Sequence, residues 1–217
     1  MKSKHSYTQA EKDAVYRVIA ERRDMRHFVD GKLEQGLLTR LLTVANQAPS
    51  VGLMQPWRFI RITDNSLKQS IKALVVAESY ITADLLEKRK SEFLKLKVEG
   101  ISECAELIVV ALPEGREKHL FGRRTMPDMD LASVSCAIQN MWLAARTEGV
   151  GLGWVSMFEP IQLAELLNMP ADSRPIAILC IGHVEKFYEK PMLVEQKWIE
   201  PKEVEQFVYE NSWPEEN

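Results

Sequence analysis

The feature that most constrains the fold of this chain is an unbroken apolar run at residues 107–112, Leu-Ile-Val-Val-Ala-Leu. A membrane-spanning helix needs about 20 such residues, so the run is too short to cross a bilayer. A turn sequence, Pro113-Glu114-Gly115, ends it. A short, wholly apolar segment of this kind is typical of a β-strand buried on both faces. The chain must therefore supply other elements to cover both sides of a sheet.

Helical and strand patterns alternate along the rest of the 217 residues. Apolar spacings of three and four predict helices at about 8–22, 33–47, 66–87 and 130–148, and a short helix from Pro160. β-forming stretches predict further strands at 57–63, within 149–156 and at 175–181. The pattern indicates an α+β fold. We expect one domain over 1–217, with a core at about 8–195 and a C-terminal extension at 196–217.

Composition excludes several classes of protein. A net charge of −3 argues against a general nucleic-acid binder. The polar N-terminus lacks the apolar region of a signal peptide, so a cytoplasmic location is expected. Cys104, Cys136 and Cys180 lie apart in apolar segments, which predicts buried free thiols. The four histidines show no metal-ligand spacing, and we expect no zinc or iron site.

The segment Arg22-Arg23-Asp24-Met25-Arg26 concentrates charge just after the first predicted helix. Guanidinium groups suit a phosphate or the edge of a heterocycle. A carboxylate among them weakens the attraction for an anion, so the cluster fits a ligand that needs positive charge together with one acid or base. The alternative interpretation is a solvated charged turn at the end of a helix.

The glycines at 149–153 do not form a dinucleotide-binding fingerprint. That fingerprint follows a strand and opens a helix, whereas these glycines follow a predicted helix and precede a strand. The chain has no phosphate-binding GxxxxGK[ST] loop, and Ser156 has no histidine nearby in sequence to support a catalytic triad.

Several motifs occur in the order seen in flavin-dependent nitroreductase-like proteins: Arg22-Arg23-Asp24-Met25-Arg26, Pro49-Ser50, Gln55-Pro56-Trp57-Arg58-Phe59, Gly151-Leu152-Gly153-Trp154 and Lys190-Pro191. With Gly122-Arg123-Arg124-Thr125-Met126-Pro127, the chain most resembles one branch of this family, the 5,6-dimethylbenzimidazole synthases. These enzymes convert FMN into the lower ligand of cobalamin. The resemblance covers about residues 15–195. It implies a nitroreductase-like mixed sheet flanked by helices, in a domain-swapped homodimer with FMN at the dimer interface.

The resemblance also implies which residues bind FMN. Arg22 and Lys190 match positions at the phosphate, and Arg26 matches the position at the pyrimidine edge. The remaining predicted cofactor-binding residues are Arg23, Ser50, Gln55, Lys97 and Met157. Among them, Ser50 and Gln55 match positions that hydrogen-bond ribityl or ring atoms, and Met157 lies on the strand that runs past the flavin N5. Lys97 lies near the end of a charged segment, 88–100. That segment is predicted to be an exposed helix or a mobile cover over the site.

Asp24 and Ser156 carry the predicted catalysis. Ordinary nitroreductases commonly have serine where this chain has Asp24, and the synthase branch has aspartate. A carboxylate beside ribityl C1′ can accept its proton. Ser156 matches the other catalytic position of the branch, where its hydroxyl helps to position oxygen near N5. The resemblance thus predicts O2-dependent fragmentation of reduced FMN, as substrate, to 5,6-dimethylbenzimidazole and erythrose 4-phosphate.

Two other functions stay open at this point. One is an FMN-dependent NAD(P)H nitroreductase or dehalogenase-type oxidoreductase, and the other is a non-catalytic flavin-binding protein. Since no NAD(P)H motif is evident, reduced FMN is expected to come from a separate flavin reductase. The apolar helix at 130–148 and the aromatic C-terminal tail also predict a homodimer.

Overall fold

The computed structural model describes residues 5–214, so the ends of the predicted domain and of its C-terminal extension lie outside the described residues. The helices are α1 (Gln9–Glu21), α2 (Leu37–Asn46), α3 (Asn65–Leu85), α4 (Lys90–Phe93), α5 (Met129–Thr147), α6 (Pro160–Leu166) and α7 (Met192–Glu195). The strands are β1 (Arg58–Ile62), β2 (Glu106–Leu112), β3 (Gly151–Val155) and β4 (Arg174–Gly182). A capping box opens α1, with the side chains of Thr8 and Glu11 each accepting from the other's backbone N–H group.

The four strands form one sheet in the order β1-β2-β4-β3, and all three pairings are antiparallel. An isolated parallel bridge between Asp24 and Leu152 extends the sheet beyond β3. The α+β class is confirmed, and the predicted mixed sheet consists of antiparallel strands with this parallel bridge at one edge.

The apolar run at 107–112 is continuous because β2 contributes to two separate cores. Ile108, Val110 and Leu112 pack in a cluster with residues of α2 and α5. Leu107 and Val109 point the other way and pack with residues of α3 and α6. Alternate side chains of a strand lie on opposite faces, so a strand covered on both sides needs apolar residues at every position. The predicted doubly buried strand is confirmed.

Two helical predictions need correction. The second helix begins at Leu37 and not near residue 33, because Gly36 takes a left-handed conformation (φ 82°) that a helix cannot contain. Within the charged segment only Lys90–Phe93 is α-helical, after a 3₁₀ turn at Glu87–Arg89, so no long exposed helix forms there.

The cysteines divide into a buried pair and an exposed thiol. Cys104 and Cys180 are buried and free, as predicted, and the neighbouring Cys104 thiol together with burial raises the pKa of Cys180. The prediction was wrong for Cys136, which is exposed because it lies on the face of α5 opposite Val134 and Ile138. Within residues 5–214, no helix is long and apolar enough to span a membrane.

Candidate functional site

The predicted arginine segment lies along β3, the edge strand of the sheet. The Met25 N–H donates to the carbonyl of Leu152 at 3.0 Å. The next outward-facing backbone groups of β3 belong to Trp154. Its N–H donates to Asp24 Oδ1 at 2.8 Å, and its carbonyl accepts from Arg26 Nη2 at 2.7 Å. Side chains of the segment thus satisfy backbone groups that an edge strand would otherwise expose.

Glycines in β3 make this close approach possible. A Cβ added to Gly153 would lie 2.1 Å from the Met25 carbonyl oxygen and 2.6 Å from Arg26 Nη1. A Cβ on Gly151 would meet the Val184 side chain at 2.5 Å. The glycine run, which is not a dinucleotide fingerprint, therefore lets a charged segment pack against the strand.

Asp24 and Arg26 form a bidentate ion pair. Arg26 Nη1 lies 2.5 Å from Asp24 Oδ1, and Nη2 lies 2.7 Å from Oδ2. The Arg26 side chain is 10% exposed, whereas the Asp24 side chain is 43% exposed. A planar guanidinium in this geometry fixes the carboxylate in orientation. The Asp24 carboxylate is therefore fixed by Arg26 on one side and accessible on the other.

The three arginines of the segment have different surroundings. Arg23 donates to the backbone carbonyls of Ala20, Arg22 and Glu189, and Arg26 is bound to Asp24 as described. Arg22 lies with its guanidinium carbon 4.6 Å from the centre of the Trp142 ring. Among residues 5–214 its guanidinium has no hydrogen-bond acceptor and no carboxylate partner. Arg22 is the arginine of this segment whose donors are open to a ligand.

Two clefts meet at Asp24. The first, which we call the apolar cleft, has a volume of about 210 Å³ and is lined by Asp24, Arg26, Phe93, Leu96, Val98, Trp154, Val155, Ser156, Met157, Met192, Leu193 and Trp198. The second, the anion cleft, has a volume of about 260 Å³ and is lined by Arg22, Arg23, Asp24, Pro191, Met192, Leu193, Val194 and Ile199. Either is smaller than a typical ligand pocket of about 300–1,000 Å³, and together they fall in that range.

The outer wall of the apolar cleft joins two segments distant in sequence. The Arg89 guanidinium lies 3.4 Å from the ring centre of Trp198 and donates to the Trp198 carbonyl, while Phe93 packs on the same indole with ring centres 6.1 Å apart. This contact ties the charged segment to the region after α7. Further along, Phe207 and Trp213 of the aromatic tail are 61% and 78% exposed in the single chain.

The structure brings most of the predicted site residues together. Arg22, Arg23, Asp24, Arg26, Ser156 and Met157 line the two clefts, and the exposed Lys190 precedes Pro191 of the anion cleft. Lys97 lies between the lining residues Leu96 and Val98, but its ammonium group pairs with Glu103 at 2.7 Å.

Ser50 and Gln55 are not in this group. Ser50 Oγ accepts from the Gln55 N–H, and the neighbouring Val51 N–H donates to Ser133 Oγ near the start of α5. Trp142, which contacts Arg22, lies nine residues later, or about 13 Å along the helix axis. The loop that carries Ser50 and Gln55 therefore lies toward the opposite end of α5 from Arg22.

Sequence reasoning missed two residues that support the site. These residues are Trp142, which contacts Arg22, and Tyr188. The Tyr188 hydroxyl accepts from the Arg26 backbone N–H at 3.2 Å and bonds to His27 Nδ1 at 2.6 Å. Both residues come from elements more than 100 positions away from the arginines, so no local pattern identifies them.

Comparison with known proteins gives matches over most of the chain. The model of the nitroreductase family matches residues 19–183. A 5,6-dimethylbenzimidazole synthase of Rhodospirillum rubrum is 36% identical over 179 residues, which are 82% of this chain and 85% of that protein. One of Rhodobacter capsulatus is 35% identical over 197 residues, or 90% of this chain and 95% of the relative.

Solved structures share the fold at lower identity. An iodotyrosine deiodinase bound to FMN and 3-iodo-L-tyrosine superposes with a TM-score of 0.70 at 23% identity, covering 92% of this chain and all of that one. Nitroreductase A of Vibrio parahaemolyticus superposes with a TM-score of 0.69 at 18% identity, covering 94% of this chain and 78% of that one.

Proposed function

Because this chain belongs to the nitroreductase family and, within it, to the branch of the 5,6-dimethylbenzimidazole synthases, we propose that it fragments reduced FMN with O2. The products are 5,6-dimethylbenzimidazole, erythrose 4-phosphate and a third fragment that carries the remaining atoms of the pyrimidine ring together with the oxygen atoms from O2. FMN is then a substrate that is consumed, and a separate flavin reductase supplies it in reduced form.

The observation that carries this proposal is the place of Asp24 at the junction of the two clefts. In FMN the ribityl chain links the phosphate to the ring. A ligand with its phosphate in the anion cleft and its ring in the apolar cleft brings its ribityl chain past this carboxylate. An ordinary flavin reductase needs no base at that point, whereas cleavage at ribityl C1′ does.

The donor set of the clefts fits FMN. Arg22 offers unbonded guanidinium donors for the phosphate, and the exposed Lys190, which precedes the cleft residue Pro191, is a second positive charge available for it. In the apolar cleft, Phe93 and Trp198 supply the flat apolar surface that a ring system requires. The substrate supplies the carbon skeleton that is cleaved and the reactivity toward O2.

The protein's own groups then have distinct tasks. Asp24 accepts the proton from ribityl C1′, and Arg26 holds the carboxylate in position for it. Ser156 is exposed directly after β3, where its hydroxyl can hydrogen-bond near the flavin N5 and position O2. The wall formed by Phe93 and Trp198 limits the access of water.

We further propose that the enzyme acts as a homodimer. α1 has no buried residue in the single chain, and its Val15, Tyr16 and Ile19 are exposed. An amphipathic helix without buried residues needs a partner surface. In a dimer, Ser50 and Gln55 would face the flavin bound mainly by the other copy, and the extension at 196–217 would pack on that copy.

The decisive experiment combines the protein with FMN, reduces the flavin without oxygen, admits air and identifies the products by mass spectrometry. We expect 5,6-dimethylbenzimidazole from the wild type and none from Asp24→Asn, with FMN binding retained. Asp30→Asn is the matched control, because Asp30 is exposed, close in sequence and absent from both cleft linings. Reoxidation of the wild-type mixture to intact FMN alone would refute the proposal and favour an NAD(P)H-dependent reductase.

A further inference from the structure

Trp142 makes two separate contacts with the arginine segment. The face of its indole carries the guanidinium of Arg22, at 4.6 Å from the ring centre. The edge of the same ring donates from Nε1 to the carbonyl of Arg23 at 3.1 Å. One side chain of α5 thus holds the side chain of one arginine and the backbone of the next.

The Trp142 ring is itself well supported. It is 9% exposed, and it packs at a tilt against Trp154 with ring centres 6.3 Å apart. Trp154 is the residue whose backbone binds Asp24 and Arg26. The surface under Arg22 is therefore part of the same packed unit that orients the carboxylate.

The stack leaves the hydrogen-bonding capacity of Arg22 unused. The N–H donors of a guanidinium point outward in its own plane, and a ring beneath that plane occupies none of them. No protein acceptor among residues 5–214 takes these donors, so the Trp142 ring supports the Arg22 guanidinium without competing for them. It lowers the conformational freedom that an unsupported arginine would lose on binding an anion.

We propose that Trp142 is a positioning residue for ligand phosphate, and that through Arg22 it sets the preference for FMN over riboflavin. This inference rests on the proposed function, in which Arg22 contacts the FMN phosphate. Riboflavin has the same ring and ribityl chain without the phosphate, so the ratio of the two affinities isolates the contribution of the anion cleft.

The test is to titrate oxidised FMN and oxidised riboflavin with the wild type, Arg22→Gln and Trp142→Leu. Flavin fluorescence reports the binding in each titration. Oxidised flavin prevents turnover. We expect Trp142→Leu to weaken FMN binding by about tenfold, a typical effect of removing a partly buried cation–π contact, and to leave riboflavin binding unchanged. Trp142→Phe keeps a ring under Arg22 and should retain most of the preference for FMN.

Phe187→Leu is the matched control. Arg146 lies 4.2 Å over the Phe187 ring, so this variant also removes a cation–π contact, but neither residue lines the two clefts. It should leave both affinities unchanged. If Trp142→Leu does not fold, Trp142→Met provides the ring-free partner for the comparison with Trp142→Phe.

The outcomes separate this inference from the proposed function. A strong wild-type preference for FMN that Arg22→Gln abolishes and Trp142→Leu leaves intact would refute the role of Trp142 alone. Equal weakening of FMN and riboflavin by Trp142→Leu would show a merely structural role and also overturn the inference. A wild type without preference, unaffected by Arg22→Gln, would refute the assignment of Arg22 to the phosphate and the inference with it.

Discussion

Replacing Gly153 with alanine should displace the residues of the site while the protein still folds. The added Cβ would lie 2.1 Å from the Met25 carbonyl oxygen, which is backbone and has no alternative rotamer. To reach an ordinary contact distance of about 3.4 Å, the segment of Met25 must move away from β3 by about 1.3 Å. Asp24 and Arg26 flank this residue and would move with it.

Two measurements follow from that displacement. Overpacking of this kind costs about 1–3 kcal/mol of the free energy of unfolding, which urea denaturation would detect. A misplacement of about 1 Å at a catalytic group can lower the rate by about 100-fold. We therefore expect Gly153→Ala to fold, with a lower urea midpoint, and to form 5,6-dimethylbenzimidazole about 100-fold more slowly than the wild type.

Gly149→Ala is the control, because it should lower the stability of the protein without moving the residues of the site. Gly149 has φ +72°, and a Cβ there would meet nothing within 4 Å. Forcing alanine into this left-handed conformation costs about 1–2 kcal/mol, similar to the expected effect at Gly153, but does not touch the site. Product formation by Gly153→Ala at the wild-type rate, or an equal loss in Gly149→Ala, would refute the reasoning.

Three further predictions concern the supports of the site and of α1. Tyr188→Phe removes the acceptor of the Arg26 backbone N–H, and we expect a loss of about 1 kcal/mol in urea unfolding and a several-fold lower product yield; an unchanged yield would contradict a supporting role. Burial alone would raise the pKa of the Glu103 carboxyl, but the hydrogen bond and charge of Lys97 outweigh it and hold this pKa below 4.5. The ion pair therefore persists above pH 4.5 and is lost as the pH falls through the lowered pKa, so hydrogen-exchange protection of residues 94–100 should drop there, and in Glu103→Gln it should be low at every pH. Thr8→Ala removes a helix cap worth about 0.5–2 kcal/mol, which should appear as faster amide exchange at the start of α1, and protection equal to that of the wild type would contradict it.

The sequence by itself determined the fold class and the approximate positions of the main helices and strands. The helices, the capping box at Thr8 and the doubly buried strand β2 were predictable because they depend on neighbouring residues and on the periodicity of apolar side chains. Local patterns do not show which face of a helix packs against the rest of the protein, and predictions that depend on that face failed. Cys136 is an example, because its exposure depends on which face of α5 meets the sheet.

Only the tertiary structure decided which role each of Arg22, Arg23 and Arg26 has. The letters Arg-Arg-Asp-Met-Arg do not distinguish the arginine bound to backbone carbonyls from the one that holds Asp24 or the one left open to a ligand. Those differences come from Trp142 and Trp154, more than 110 residues away, which reach the segment because Gly153 lets it lie against β3. Hydrogen bonds and stacking act over a few ångströms in space, so the role of each arginine is set by packing contacts that the local sequence does not encode.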